Sequence, residues 1–185
     1  IKTYLIFFML MRISTRFFFF ALCFSSFGIS KSYFIDNLSI NSIIKTNGEV
    51  HIEETRTFVF NGSYSFAYLE LDKKFFNEIY DIKVLDGNLY FQNSDSKAKN
   101  TFIVINKKNS LSIKWYFIAE DTTRTFTLSY KLKGAMRIGE NDSQFYWTYL
   151  NKGWDVKTHN MFISQSFESG TIDNEKVWFD VEGIS

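Results

Sequence analysis

Residues 40–60, INSIIKTNGEVHIEETRTFVF, contain the clearest β-hairpin signal of the chain. Two extended runs flank Thr46-Asn47-Gly48, and an Asn-Gly pair favours a tight turn because both residues tolerate a positive φ angle. Successive side chains of a strand point to opposite faces of the sheet. On the second run, one face carries Val50, Ile52, Glu54, Arg56, Phe58 and Phe60. The pattern predicts a hairpin with a carboxylate and a guanidinium on an otherwise apolar face.

The two-residue period continues after this hairpin. Residues 124–133 alternate in the same way, with Phe126, Leu128, Tyr130 and Leu132 on one face. Asp86-Gly87 marks a second tight turn, and a helical turn is expected at residues 72–77. Proline is absent and aromatic residues make up 19% of the chain, which favours pleated, half-buried surfaces. About ten short strands separated by turn signals predict an all-β, antiparallel immunoglobulin-like β-sandwich over residues 31–185.

The charge balance excludes one class of partner. Residues 1–30 hold three of the 21 basic residues and none of the 20 acidic ones, so residues 31–185 carry a net charge of −2. Nucleic-acid binding requires a basic face, so we expect no nucleic-acid partner. Cys23 is the one cysteine of the sequence, and an intrachain disulfide is therefore impossible.

The N-terminal stretch has the pattern of an export signal. From Met11 it reads MRISTRFFFFALCFSSFGIS, with Arg12 and Arg16 before an apolar run and small residues near Gly28. The apolar run is shorter than the ~20 residues of a membrane-spanning helix. We predict that residues 1–30 are a hydrophobic helix acting as a signal peptide or an uncleaved signal anchor; a buried hydrophobic helix is the alternative. The expected location is the extracytoplasmic face of the membrane or the periplasm.

Three blocks of residues 38–167 carry a family resemblance. The first is the opening hairpin, with its Asn-Gly turn followed by Val50, Ile52, Glu54 and Phe60. The second is TFTLSYKLKG at residues 125–134. The third is Phe145-Tyr146-Trp147, followed by Gly153-Trp154 and a strand near Ile163. In these blocks the chain resembles the outer domain of the YciQ-like predicted bacterial membrane proteins, domain of unknown function family 2207.

The resemblance implies an architecture and no activity. Members of this family combine a signal peptide, an exported β-domain, one or more membrane spans and a cytoplasmic tail. The chain departs from the family pattern in reaching Ser185 without a span, and in having Ser166-Phe167 where the family has Leu-Pro. The resemblance therefore implies attachment to the membrane through the N-terminal segment or through a C-terminal span that follows Ser185.

Glu54 is the main candidate functional residue. An unpaired carboxylate on an inner face costs several kcal/mol, so Glu54 must find a partner or change its pKa. Arg56 lies on the same face ~6.6 Å along the strand, and Arg124 lies on a later strand. Two interpretations stay open: a structural ion pair or backbone cap, and a binding or catalytic group. A glycosidase would need a second carboxylate nearby, and Glu53 faces the other side.

Other chemistry has little support in the sequence. His51 and His159 are the two histidines, and neither has the spacing of a metal site, so no metal or cofactor is predicted. The motifs of nucleotide-binding proteins, serine hydrolases and zinc proteases do not occur. We therefore predict no catalytic residues; an enzyme acting on envelope glycans, with Glu54 as a buried acid, is the alternative.

The aromatic residues offer a second set of candidates. Tyr146 and Trp147 fall on opposite faces of an extended segment, so at most one of them belongs to the core. Trp147 is expected to fill the sandwich and Trp154 to cover one end. An exposed patch of Tyr146, Tyr149 and Trp154 is the alternative and would be an interaction surface. The expected function is binding of a protein or an envelope polymer; a structural spacer is a further possibility.

Overall fold

The structure is a computed structural model that describes residues 30–138, 143–150 and 156–168. These residues form strands with almost no helix. In this part of the chain, a single 3-10 turn at Lys73–Phe75 occupies the position where the sequence predicts a helical turn. In chain order the strands are β1 (Ser32–Ile44), β2 (Val50–Asn61), β3 (Ser63–Asp72), β4 (Glu78–Asp86), β5 (Leu89–Tyr90), β6 (Gln92–Asn93), β7 (Thr101–Asn106), β8 (Ser110–Glu120), β9 (Thr123–Lys133), β10 (Met136–Ile138), β11 (Ser143–Phe145) and β12 (Thr158–Phe167).

The larger sheet has six strands in the order β12-β1-β2-β9-β4-β5. It contains the predicted hairpin of β1 and β2, whose turn places Gly48 at a φ of 81°. Strand β2 also pairs antiparallel with β9, with Ile52 opposite Tyr130 and Glu54 opposite Leu128. The two strands with the clearest alternation in the sequence are therefore neighbours in the middle of this sheet.

The smaller sheet has four strands in the order β3-β8-β7-β6. Short connections lead from β2 to β3 and from β8 to β9, so paired strands of one sheet continue as paired strands of the other. The two inner faces meet through aromatic rings. The ring of Phe117 on β8 lies 4.7 Å from that of Phe126 and 5.4 Å from that of Phe60. This packing confirms the predicted all-β sandwich.

Two strand pairs are parallel, which the prediction of an antiparallel sandwich did not include. Strand β12 runs parallel to β1, and β6 runs parallel to β7. Parallel neighbours need a long connection. All the other strands lie between β1 and β12 in the sequence. Alternation within a strand contains no information about so distant a pairing.

Among the described residues, β10 and β11 pair as a separate two-stranded sheet, and the four edges of the two larger sheets differ in length. Two are closed by strands of only two residues, β5 and β6. The other two are the ten-residue strands β3 and β12. Short edge strands limit unwanted pairing with other chains, whereas long ones invite it. Within the described part of the chain, the outer edge of β12 is without a neighbouring strand.

The predicted signal or anchor segment, residues 1–30, lies outside the described residues except for Ser30. In the part of the chain that the structure describes, no helix has the length and apolar character needed to cross a membrane.

Candidate functional site

Glu54 and Arg56 form an ion pair in the core, on the inner face of β2. Their side chains are 3% and 2% exposed, and the Arg56 Nη2 atom lies 2.5 Å from Glu54 Oε2. Arg56 Nε donates a second hydrogen bond of 3.2 Å to the same oxygen. A regular strand places residues i and i+2 on the same face, so the alternation of β2 alone brings the two charges together. The inward orientation predicted for both residues is thereby found.

Tyr130 completes this buried cluster from the neighbouring strand β9. Its hydroxyl donates to the other carboxylate oxygen, Glu54 Oε1, over 2.5 Å. Burial, followed by the adjacent Glu54 charge, raises the pKa of Tyr130 well above its usual 10. The hydroxyl therefore stays protonated and keeps donating. The alternation of β9 puts Tyr130 on the same face as Phe126 and Leu128, but the sequence does not identify it as a partner of Glu54, because it does not contain the register between β2 and β9.

A second buried polar contact lies on the inner face of β1. Ser42 is fully buried, and its Oγ atom lies 2.8 Å from the hydroxyl oxygen of Tyr149. Tyr149 also donates to Gln165 on β12 over 3.2 Å. Burial raises the pKa of Tyr149. The two hydrogen bonds of Tyr149 connect the segment after β11 to both β1 and β12.

The geometry of Glu54 is that of a structural ion pair. Both carboxylate oxygens are engaged, one by the Arg56 guanidinium and the other by the Tyr130 hydroxyl. At 2% exposure the residue lacks contact with solvent through which a substrate could approach. The other candidate partner, Arg124, pairs instead with Asp86 on β4. Removal of any member of the cluster would leave a buried charge or donor unsatisfied.

A shallow groove of about 290 Å³ lies on the opposite face of the same strands. The sequence does not predict this groove, although the alternation of β2 puts His51 and Glu53 on the outer face. Its polar lining comes from four strands, β1, β2, β4 and β9: Asn41, His51, Glu53, Asp81, Lys83, Ser129 and Lys131. A volume this small is at the lower limit for ligand pockets, which usually exceed ~300 Å³.

The charges in this groove largely satisfy one another. Asp81 lies in a bulge of β4 with a φ of 51°, and it pairs with Lys131 at 2.8 Å and Lys83 at 3.2 Å. Hydrogen bonds from these two lysines lower the pKa of Asp81. His51 has a lowered pKa because of its desolvation and the positive charges of Lys45 and Lys131.

The two histidines are far apart in the fold. His51 lies on β2, and His159 lies on β12, where its Nδ1 atom is 3.3 Å from Asp36. Among residues 30–138, 143–150 and 156–168, no three side chains of the metal-ligating types are grouped to hold a metal ion.

The candidate aromatic residues have different environments. Tyr146 is 54% exposed, with its ring 5.3 Å from that of Phe75. Trp147 is half-buried and packs against the core, as the interpretation of this residue as a filler expects. Tyr149 is half-buried and hydrogen-bonded to Ser42. Trp154, the third residue of the expected patch, lies outside the described residues.

An exposed apolar surface lies on β12. The middle of this edge strand exposes three large side chains in succession: Met161 at 42%, Phe162 at 65% and Ile163 at 42%. In the parallel pairing with β1, Met161 lies beside Leu38 and Ile163 beside Ile40. Met161 and Ile163 therefore extend the inner face of the larger sheet, while Phe162 lies on its outer face. Contiguous exposed apolar side chains on an open edge are typical of interaction sites.

Two packed sheets, an ion pair buried on β2 with a hydrogen bond to β9, and an open apolar edge define an all-β sandwich domain. A family model described as the N-terminal domain of predicted membrane proteins, DUF2207, matches residues 34–181. The chain belongs to this family, as its resemblance to the YciQ-like proteins implies.

Comparisons with individual proteins add little to this assignment. No curated protein matches the chain significantly. Among solved structures, a crystal structure of a protease candidate from Parabacteroides distasonis ATCC 8503 is similar with a TM-score of 0.30 and 9% sequence identity. The similarity covers 54% of this chain and 22% of that protein. So low a TM-score carries no argument about fold or function.

Proposed function

We propose that this domain lies on the extracytoplasmic side of a membrane-associated protein and binds a partner through the open edge of β12. Two observations support the location. The family is one of predicted membrane proteins, and residues 11–30 have the pattern of an export signal. The exposed edge strand supports the binding role, and it is the observation on which the proposal rests.

The chemical character of β12 suits the addition of a strand. An edge strand presents unpaired backbone N–H and C=O groups that another extended segment can pair with. Natural edges are usually protected by charged residues, proline or a short length. The sequence of β12, THNMFISQSF, has ten residues and neither charge nor proline. This strand therefore lacks the common protective features.

The alternative of a glycan-acting enzyme with Glu54 as its acid is not favoured by the geometry. A general acid must lie within hydrogen-bonding reach of the substrate. Glu54 is 2% exposed, and both of its oxygens bond to other side chains of the core. The buried cluster is better explained as a support for β2 and β9.

The binding role can be tested by photocrosslinking in membranes from cells that express the full chain. A photoreactive amino acid is placed at Ile163 on β12 and, as a matched control, at Phe66 on the other long edge strand. Both positions are similarly exposed, at 42% and 44%. We expect a discrete adduct from position 163 and none from position 66. Absence of any adduct at position 163 would leave a structural spacer as the better explanation.

The proposed location has its own test. Ser96 lies in the exposed connection between β6 and β7. A Ser96→Cys variant in a Cys23→Ser background therefore carries one accessible thiol. In intact cells with a permeabilised outer layer, a membrane-impermeant maleimide should label this thiol fully. Labelling that requires lysis of the inner membrane would show a cytoplasmic location.

A further inference from the structure

We propose that the partner of the β12 edge is the β12 edge of a second copy of this chain, paired antiparallel about a two-fold axis at Phe162. This inference rests on the proposed binding role and names its partner.

The polarity pattern of β12 is symmetric about its centre. Around Phe162 the residues are arranged symmetrically, with apolar neighbours at 161 and 163 and polar residues at 158–160 and 164–166. In antiparallel pairing about Phe162, a residue that precedes Phe162 in one copy lies opposite the residue that follows Phe162 by the same number of positions in the other copy. Met161 then lies opposite Ile163 of the second copy, and Asn160 opposite its Ser164. Apolar side chains meet apolar ones and polar side chains meet polar ones.

The central residues of β12 are also exposed. Met161 and Ile163 are each 42% exposed, and Phe162 is 65% exposed. The three most central side chains of the strand thus leave apolar surface on both faces of the sheet. Pairing about Phe162 would cover Met161 and Ile163 on the inner face. On the outer face it would place two phenylalanine rings directly opposite each other, a favourable cross-strand pair.

The side chains of β12 carry no charge that would oppose self-pairing. Like charges that lie directly opposite each other in a two-fold pairing destabilise it. The sequence of β12 contains no Asp, Glu, Lys or Arg, so its self-pairing meets no such repulsion. The main-chain groups of two ten-residue strands would form about ten new hydrogen bonds and join the two larger sheets into one.

A two-fold axis at Phe162 predicts that two variants of opposite charge at this position will pair with each other. Binding of a different partner to β12 would not give this result. In a Phe162→Lys variant, two ammonium groups would face each other across the axis, and in a Phe162→Glu variant two carboxylates would do so. Sedimentation of the purified full chain in detergent should show a dimer for the wild type and loss of the dimer for each variant alone. An equimolar mixture of the two variants should restore the dimer, because each pair would then join opposite charges.

Disulfide trapping tests the register. Directly opposite residues of an antiparallel pair have Cα atoms ~4.5–5.5 Å apart, which is within disulfide range. In a Cys23→Ser background, Phe162→Cys should therefore form a disulfide-linked dimer under mild oxidation. Ser166→Cys should not, since the two copies of residue 166 would lie ~27 Å apart. Phe66→Cys on β3 is the control for random collision.

The outcomes separate the two proposals. A wild-type monomer, unrestored dimerisation in the mixture, or equal trapping at positions 162, 166 and 66 would overturn the self-pairing. If position 163 at the same time gives a photoadduct with a different protein, the binding role stands and only the identity of its partner changes. Protection of the Met161 and Ile163 amides from hydrogen exchange in a monomer would point to coverage by another segment of the same chain, which would also overturn the self-pairing.

Discussion

The buried cluster on β2 and the open edge on β12 reverse the usual distribution of side chains. Glu54, Arg56 and Tyr130 place charge and hydroxyl in the core. Met161, Phe162 and Ile163 place apolar side chains in water. The first arrangement is stable because every group has a partner within the chain. The second leaves apolar surface uncovered among the described residues, so the edge is the place where a partner would gain contacts.

The largest effect is expected from Glu54→Gln. Loss of the carboxylate charge leaves the Arg56 guanidinium buried without its counter-charge, and breaking a buried pair in this way costs about 3–5 kcal/mol of unfolding free energy. The change is measured by urea denaturation. Glu53→Gln is the matched control, because Glu53 is the adjacent residue and is exposed; its effect should stay within about 0.5 kcal/mol. Equal effects of the two substitutions would refute the structural role of the pair.

A smaller loss is expected from Tyr130→Phe. The substitution removes one hydrogen bond to the Glu54 carboxylate and keeps the ring in the core. Hydrogen bonds to charged groups contribute about 1.5–3 kcal/mol. Tyr68→Phe is the control, since Tyr68 is 59% exposed on the smaller sheet. If both variants unfold at the same urea concentration as the wild type, the Tyr130 bond makes no contribution to stability.

The buried cluster also predicts a loss of stability at alkaline pH. The pKa of Tyr130 is raised in the folded protein and is about 10 in the unfolded chain. Below pH 10 both states are protonated and the contribution of Tyr130 is complete. Above pH 10 the unfolded state loses its proton first, so the unfolding free energy should fall as the pH rises. Tyr130→Phe should show a shallower fall between pH 9.5 and about 11, and an unchanged slope would argue against this assignment.

The smallest effect on folding is expected at the edge. Phe162→Lys should change the unfolding free energy of the monomer by no more than about 0.5 kcal/mol, because the side chain is 65% exposed and a lysine there stays solvated. Phe126→Lys, in the core at 0% exposure, is the contrasting variant and should prevent folding. A strongly destabilising Phe162→Lys would mean that β12 is covered within its own chain.

The residues alone were sufficient for the class of fold. Alternation along β2 and β9 identified the inner faces, and the Asn-Gly turn located the first hairpin, because both signals depend on neighbouring residues. The same alternation placed Glu54 and Arg56 together, since residues two apart on a strand share a face. Tyr130 was on the predicted inner face as well, but its bond to Glu54 depends on the register between strands about 75 residues apart in the chain.

The exposure of β12 could not be predicted from alternation in the sequence. Its central residues Met161, Phe162 and Ile163 are three consecutive apolar residues, so alternation does not assign them to an inner or an outer face. Their exposure results from the parallel pairing of β12 with β1, which puts the strand at the margin of the larger sheet. Local sequence sets which way each side chain points along a strand, whereas the order of strands sets what lies opposite. Contacts between distant segments decide that order, and with it which apolar surface remains open for a partner.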